Sequence, residues 1–207
     1  MPIHGIRQPE YIPITDELRL RKYDGNYEFA YDWYQDRETC LLVNGVDTPM
    51  KRESIMVMYE YLNAHGELYF IEYRKNGTYL PIGDVTFWRE DMPIVIGNPA
   101  YRKRGLGYLV VKKLTERARE LGYDKIFVGE IYDYNVGSIK CFEKAGFLPY
   151  EKTEKGHRYC ADLSKLKSAC NLREFAEIKN LCQAEEDYKV NEIPAKTGEE
   201  TEKGKMQ

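Results

Sequence analysis

Along residues 17–23, ELRLRKY, Leu18 and Leu20 alternate with Arg19 and Arg21. This period of two predicts a strand. Residues 25–38 set Phe29, Ala30 and Trp33 on one side and are expected as a helix. ESIMVMYEYLNAHG (53–66) also has helical spacing, with Gly66 placed for a left-handed C-terminal cap. Residues 67–88 hold two apolar-rich stretches around Asn76-Gly77, a pair that tolerates positive φ and predicts a hairpin. PIVIG (93–97) is almost wholly apolar, as a buried strand would be. From 105 to 121, Leu106, Leu109, Val110, Leu114, Ala118 and Leu121 recur at helical spacing, while Lys112, Lys113, Glu116 and Arg119 fall on the other side. Gly122 ends that helix. DKIFVGEI (124–131) reads as a strand, VGSIKCFEKAGF (136–147) as a short helix closed by Gly146, and RYCADL (158–163) as a last strand.

The order is strand, two helices, hairpin, strand, helix, strand, helix, strand. This is an α+β pattern, a mixed and mostly antiparallel twisted sheet with flanking helices, and not a repeating doubly wound one. It occupies residues 1–170. A further helix fits residues 171–188, and residues 189–207 show no apolar period and are expected to be disordered. At 207 residues the chain suits one domain of ordinary size. A net charge of −3 and a pI near 5.8 argue against a general nucleic-acid binder. No stretch approaches the roughly 18 uncharged apolar residues of a membrane span, and no secretory leader is visible at the N-terminus. The five cysteines are scattered and form no C-x-x-C pair, and His4, His65 and His157 have no metal-ligand spacing. A reduced, cytoplasmic setting without a metal is the expectation.

One stretch carries chemistry. Arg102, Lys103, Arg104, Gly105, Leu106 and Gly107 follow a buried strand and open a helix. The first helical turn leaves N–H groups unpaired, the helix dipole adds partial positive charge, and glycine permits close approach to the backbone. Together these make an anion site. A dinucleotide fingerprint needs a third glycine where Val110 stands, and the Lys-Ser/Thr ending of a phosphate loop is absent.

R-x-x-G-x-G resembles motif A of the GCN5-related N-acetyltransferases (GNAT), which cradles the pyrophosphate of coenzyme A. Downstream, Asn135, Ser138, Phe142, Gly146 and Phe147 form N-x-x-S-x-x-x-F-x-x-x-G-F, similar to motif B of that superfamily. The element order over about residues 17–165 is similar as well. Within the superfamily, IGNPAYRKRGLG (96–107) looks most like the aminoglycoside 6′-N-acetyltransferase branch, although Pro93 stands where some of its members carry an acid.

The resemblance implies the acyl-CoA N-acyltransferase fold, acetyl-CoA as donor and a small primary amine as acceptor, with a homodimer and a peptide amine both left open. It places Val95, Ile96, Arg102, Lys103, Arg104, Gly105, Leu106, Gly107, Tyr108, Asn135, Ser138 and Phe142 along the cofactor. It also implies that the strand at 93–97 splays from the one at 125–131. An attacking amine must lose a proton, for which Glu90, Asp91, Glu130 or a water chain can serve. The motif B position that often supplies a tyrosine is Phe142, which leaves Tyr134, Tyr132 or water to protonate the leaving thiolate; the same absence favours a non-catalytic acyl-CoA sensor. Cys141 is read as a packing residue, not a nucleophile. Asp24, Glu28, Asp32 and Asp36 recur every fourth residue, and Glu38 adds a fifth acid against Arg37 alone. Like charges at that spacing oppose a helix, so Asp32 and Asp36, with Trp33 and Tyr34, are candidates for holding a cationic acceptor.

Overall fold

The computed structural model describes residue 3 and residues 5–165, all within the compact unit Met1–Ser168. The helix expected at 171–188 and the tail at 189–207 lie outside the described residues. The chain forms β1 (Tyr11–Pro13), β2 (Leu18–Lys22), a 3-10 helix (Glu28–Gln35), α1 (Arg37–Asn44), α2 (Arg52–His65), β3 (Glu67–Lys75), β4 (Thr78–Phe87) and β5 (Ile94–Val95). It continues with α3 (Leu106–Glu120), β6 (Lys125–Tyr132), α4 (Val136–Lys144), β7 (Leu148–Lys152) and β8 (Gly156–Asp162). The strands pair antiparallel in two sheets, ordered β1-β2-β3-β4-β5 and β6-β8-β7. The facing edges, β5 and β6, are tied where the Phe127 N–H donates to Arg89 O at 2.9 Å and the Gly129 N–H donates to Asp91 Oδ1 at 2.7 Å. Beyond that point they share no ladder, so the α+β fold with a parted sheet stands as expected.

Asn76 and Gly77 take φ of 51° and 83°, the positive values their hairpin requires. Helix α3 buries Leu106, Leu109, Val110, Leu114 and Ala118, the stripe its spacing announced. Three expectations are corrected. The helix expected over 25–38 is a 3-10 helix followed by α1. The break falls at Asp36, which is extended (φ −73°, ψ 118°) and caps α1 by accepting the Thr39 N–H at 3.1 Å and the Thr39 hydroxyl at 2.6 Å. In the tighter helix Ala30 and Trp33 lie three residues apart and both face inward. Gly66 is not left-handed but extended (φ −146°) and feeds β3 directly; a Cβ there would lie 2.6 Å from the Trp88 ring. Strands β1 and β7 were not foreseen: β1 is three residues long, and every residue of β7 is exposed, so neither shows an apolar alternation. Among the described residues no helix is long and apolar enough to cross a membrane.

Candidate functional site

The glycine loop follows a strand that bulges over its neighbour before it turns away. Gly83 on β4 has no Cβ, and one there would lie 2.0 Å from Val95 O. The backbone at Val95 and Ile96 can therefore bulge over β4, which the chain meets again where the Asn98 N–H donates to Ile82 O at 2.9 Å. Asn98 restarts the chain by accepting the Ala100 N–H at 3.1 Å, capping a short turn, Pro99–Tyr101. Lys103 (φ 60°) and Gly105 (φ 73°) are both left-handed, on either side of Arg104. Left-handed residues interspersed with others are also found in anion-binding nests. Gly105, at the N-cap of α3, has no side chain with which to accept from the first amides of the helix.

Gly107 is informative for the opposite reason. Its φ is not positive, and a Cβ would meet only Cys141 Sγ, at an ordinary 3.5 Å. The fold tolerates a side chain there, yet the helix carries glycine at some cost in stability. Packing within the protein does not require a glycine there. Of the three cations, Lys103 is exposed, and the Arg104 guanidinium lies 5.1 Å and 5.3 Å from the Tyr73 and Tyr101 ring centres. Arg102 does not join them. Its Nε donates to Ile96 O at 2.9 Å, and its other nitrogens bind Asp36, Glu38, Thr39 and Gly97 O.

The three acids proposed as bases converge where the sheets part. Glu90 and Glu130 line a cavity of about 420 Å³ with Val128, Gly129, Tyr150, Thr153 and Arg158. Asp91 borders it through Gly129: its Oδ1 accepts the Gly129 and Met92 N–H groups at 2.7 Å and 2.8 Å. Burial pushes the Asp91 carboxyl above its usual range, against the pull of those two amides. Glu130 Oε1 accepts the Thr153 hydroxyl and the Lys155 N–H. Tyr134 stacks on Tyr132 with ring centres 5.2 Å apart and donates its hydroxyl to Leu41 O at 2.9 Å.

Helix α4 begins at Asn135, whose Oδ1 accepts the Ser138 N–H at 3.1 Å while its Nδ2 donates to Leu42 O at 3.2 Å. Phe142 is buried against Phe147, ring centres 5.2 Å apart. Burial pushes the Cys141 thiol up to about 12, so it is protonated near neutrality and cannot act as a nucleophile. Lys144 Nζ sits 4.4 Å from the Tyr108 ring centre.

The acidic stripe does not exist as a stripe. Asp24 pairs with Arg21, Glu28 with Arg52, and Asp36 with Arg102, while Asp32 is exposed on the 3-10 helix. The expected i,i+4 repulsion is absent because no continuous α-helix runs through these positions. Trp33 is only 8% exposed and fills the space above Gly97, where a Cβ would lie 2.3 Å from the indole. Sequence reasoning missed Asp84. It lies opposite Val95 on β4 and is 3% exposed. Its Oδ2 accepts the Tyr34 and Tyr59 hydroxyls, each at 2.9 Å. Burial, only partly offset by those hydroxyls, raises its carboxyl to about 6. A lone acid between Ile82 and Thr86 on one strand face was the available signal.

Comparison with known proteins places this geometry. The model of the acetyltransferase (GNAT) family matches residues 27–147. No curated protein sequence matches the chain significantly. A domain from Methanocaldococcus jannaschii superposes with a TM-score of 0.63 at 22% identity, covering 70% of this chain and 98% of that one. The aminoglycoside acetyltransferase AAC(6′)-Ib, solved with paromomycin and acetyl-CoA, gives 0.59 at 18% identity, covering 75% and 100%. Spermidine N-acetyltransferase from Vibrio cholerae, solved with CoA and spermine, gives 0.57 at 16% identity, covering 73% and 98%.

Proposed function

The chain belongs to the acetyltransferase (GNAT) family, and from that premise we propose that it transfers an acetyl group from acetyl-CoA to a primary amine of a small cationic acceptor. The observation that carries the reading is Gly107: a glycine the fold does not require, in the first turn of a helix that no side chain caps. The residues fit a diphosphate, with the amides of Gly105, Leu106, Gly107 and Tyr108 as donors and Lys103 and Arg104 adding charge. Acetyl-CoA supplies the acetyl group as an activated thioester. Val95 and Ile96, at the bulged outer edge that faces β6, offer backbone groups to the pantetheine arm and to the carbonyl oxygen, where a fixed N–H stabilises developing charge.

An alkylammonium has a pKa of about 10, so the acceptor must be deprotonated before it attacks. Asp91 is the base in this reading. Both of its hydrogen bonds fall on Oδ1, which leaves Oδ2 to take the proton, and its raised carboxyl range suits that task better than an ordinary one. Glu90 and Glu130, on the cavity wall, attract the ammonium form. The aminoglycoside and polyamine complexes among the structural neighbours support an acceptor of this class. One observation favours a second reading, a non-catalytic acyl-CoA sensor: Phe142 has no proton to give a leaving thiolate and is wholly engaged in the core. Acetyl-CoA, a thiol reagent and a panel of polyamines, aminoglycosides and basic peptides separate the two. Release of CoA with any acceptor establishes transfer, whereas binding of acetyl-CoA without release across the panel establishes the sensor.

A further inference from the structure

Helix α1 is fastened at both ends to the loops that leave the parted strand edges. At its N-terminal end, Arg102 of the loop after β5 binds three of its side chains through four hydrogen bonds. Nη1 and Nη2 each reach Asp36 Oδ2 at 3.3 Å, Nη1 reaches Glu38 Oε2 at 3.3 Å, and Nη2 reaches the buried Thr39 hydroxyl at 2.5 Å. The same guanidinium holds its own loop through Ile96 O and Gly97 O. At the C-terminal end the loop after β6 takes over. Tyr134 donates to Leu41 O and Asn135 to Leu42 O, and Gly45 (φ 73°) sits so close to Tyr132 that a Cβ would lie 3.0 Å from its hydroxyl. A guanidinium spent on six oxygen contacts within the protein has little left for a phosphate.

We propose that Arg102, the first residue of the glycine-loop motif, is a positioning residue for the acceptor side, holding α1 across the parting of β5 and β6, and not a ligand of the donor's diphosphate. The inference rests on the acetyltransferase reading and departs from the role that the motif assigns to this arginine. A rigid fork is needed to join a carboxylate, a hydroxyl and two carbonyls at once, so lysine is a poor replacement. Arg102 then fixes α1 together with Asp36, one of the acids read as facing a cationic acceptor, while the phosphates are held by amides that Arg102 does not touch.

The test measures acetyl-CoA affinity by calorimetry at two salt concentrations, together with kcat and acceptor KM for the best amine of the panel. Arg102→Met should raise acceptor KM roughly tenfold or more while changing acetyl-CoA affinity less than about threefold, with its salt dependence intact. Arg102→Lys should recover only part of the loss. Thr39→Val, which cuts the same clamp and leaves the arginine in place, should raise acceptor KM in the same direction and combine with Arg102→Met less than additively. It also keeps the question open to measurement should Arg102→Met fail to fold. A loss of acetyl-CoA affinity of about tenfold or more in Arg102→Met, with a shallower salt slope and unchanged acceptor KM, makes Arg102 a phosphate ligand and overturns the proposal. Unchanged kinetics in every variant overturns it too. Wild-type protein that binds no acetyl-CoA removes the acetyltransferase reading, and this inference with it; the other two results remove the inference alone.

Discussion

The fold does not explain why residue 107 is glycine. In a helix, glycine costs up to about 1 kcal/mol relative to alanine, and here a methyl group has room beside Cys141. Gly107→Ala should therefore raise stability by roughly 0.5–1 kcal/mol in denaturant unfolding without ligand, yet weaken acetyl-CoA binding. Opposite signs in the two measurements identify a glycine kept for a ligand; a destabilised variant with normal affinity would identify one kept for packing. Asp84 gives a second residue-scale test. Its carboxyl titrates near 6 in the native state and near 3.8 when unfolded. Between those values the native protein holds a proton that the unfolded chain has released, so this group's contribution to stability falls as pH rises through the window. The full cost is present above pH 6 and relieved below about 4. The stability of Asp84→Asn relative to wild type should rise by about 3 kcal/mol between pH 4 and pH 7. A difference that does not change with pH would contradict the assignment. Neither residue could be interpreted from sequence alone. Gly107 was legible as part of a motif, but its lack of a packing role requires knowing that Cys141 leaves it room, and Asp84 is a lone acid until Tyr34 and Tyr59 are brought onto it.

At the scale of elements, strong periodicity and local turn chemistry carried the reading. Helix α3, the Asn76-Gly77 hairpin and α4 with its Asn135 cap all follow from signals within a few residues. The segment from 25 to 45 did not. Its aromatic spacing suits either helix type, and the choice is made by Asp36, which stops one helix, caps the next and meets Arg102 from a distant part of the chain. The tie between β5 and β6 is also long-range, since Asp91 reaches the Gly129 amide. That tie allows the structural and chemical roles of Asp91 to be separated. Asp91→Asn keeps an oxygen for the amide and removes the base, so it should keep its stability and acetyl-CoA affinity while kcat falls about 100-fold or more. Asp91→Ala removes both and should in addition lose about 1–3 kcal/mol of stability through the unsatisfied amide. Near-normal turnover by Asp91→Asn would rule it out as the base.

For the whole molecule, the element order and two motifs separated by one helix and one strand were enough to indicate the family, and the match over residues 27–147 agrees. What sequence could not supply is how distant elements are joined: α1 bridging the two loops, the acid stripe dissolved into separate ion pairs, and the two glutamates brought to one cavity. Apart from the Asp24–Arg21 pair, these are tertiary facts, set by contacts between residues tens of positions apart. The central claim is that the amides opening α3 hold the diphosphate of acetyl-CoA. Titration of ¹⁵N-labelled protein with acetyl-CoA tests it most directly. The amide resonances of Gly105, Leu106, Gly107 and Tyr108 should shift together, saturably, and more than those at the far end of α3. Saturable binding that leaves these four amides unmoved while others shift would contradict the account.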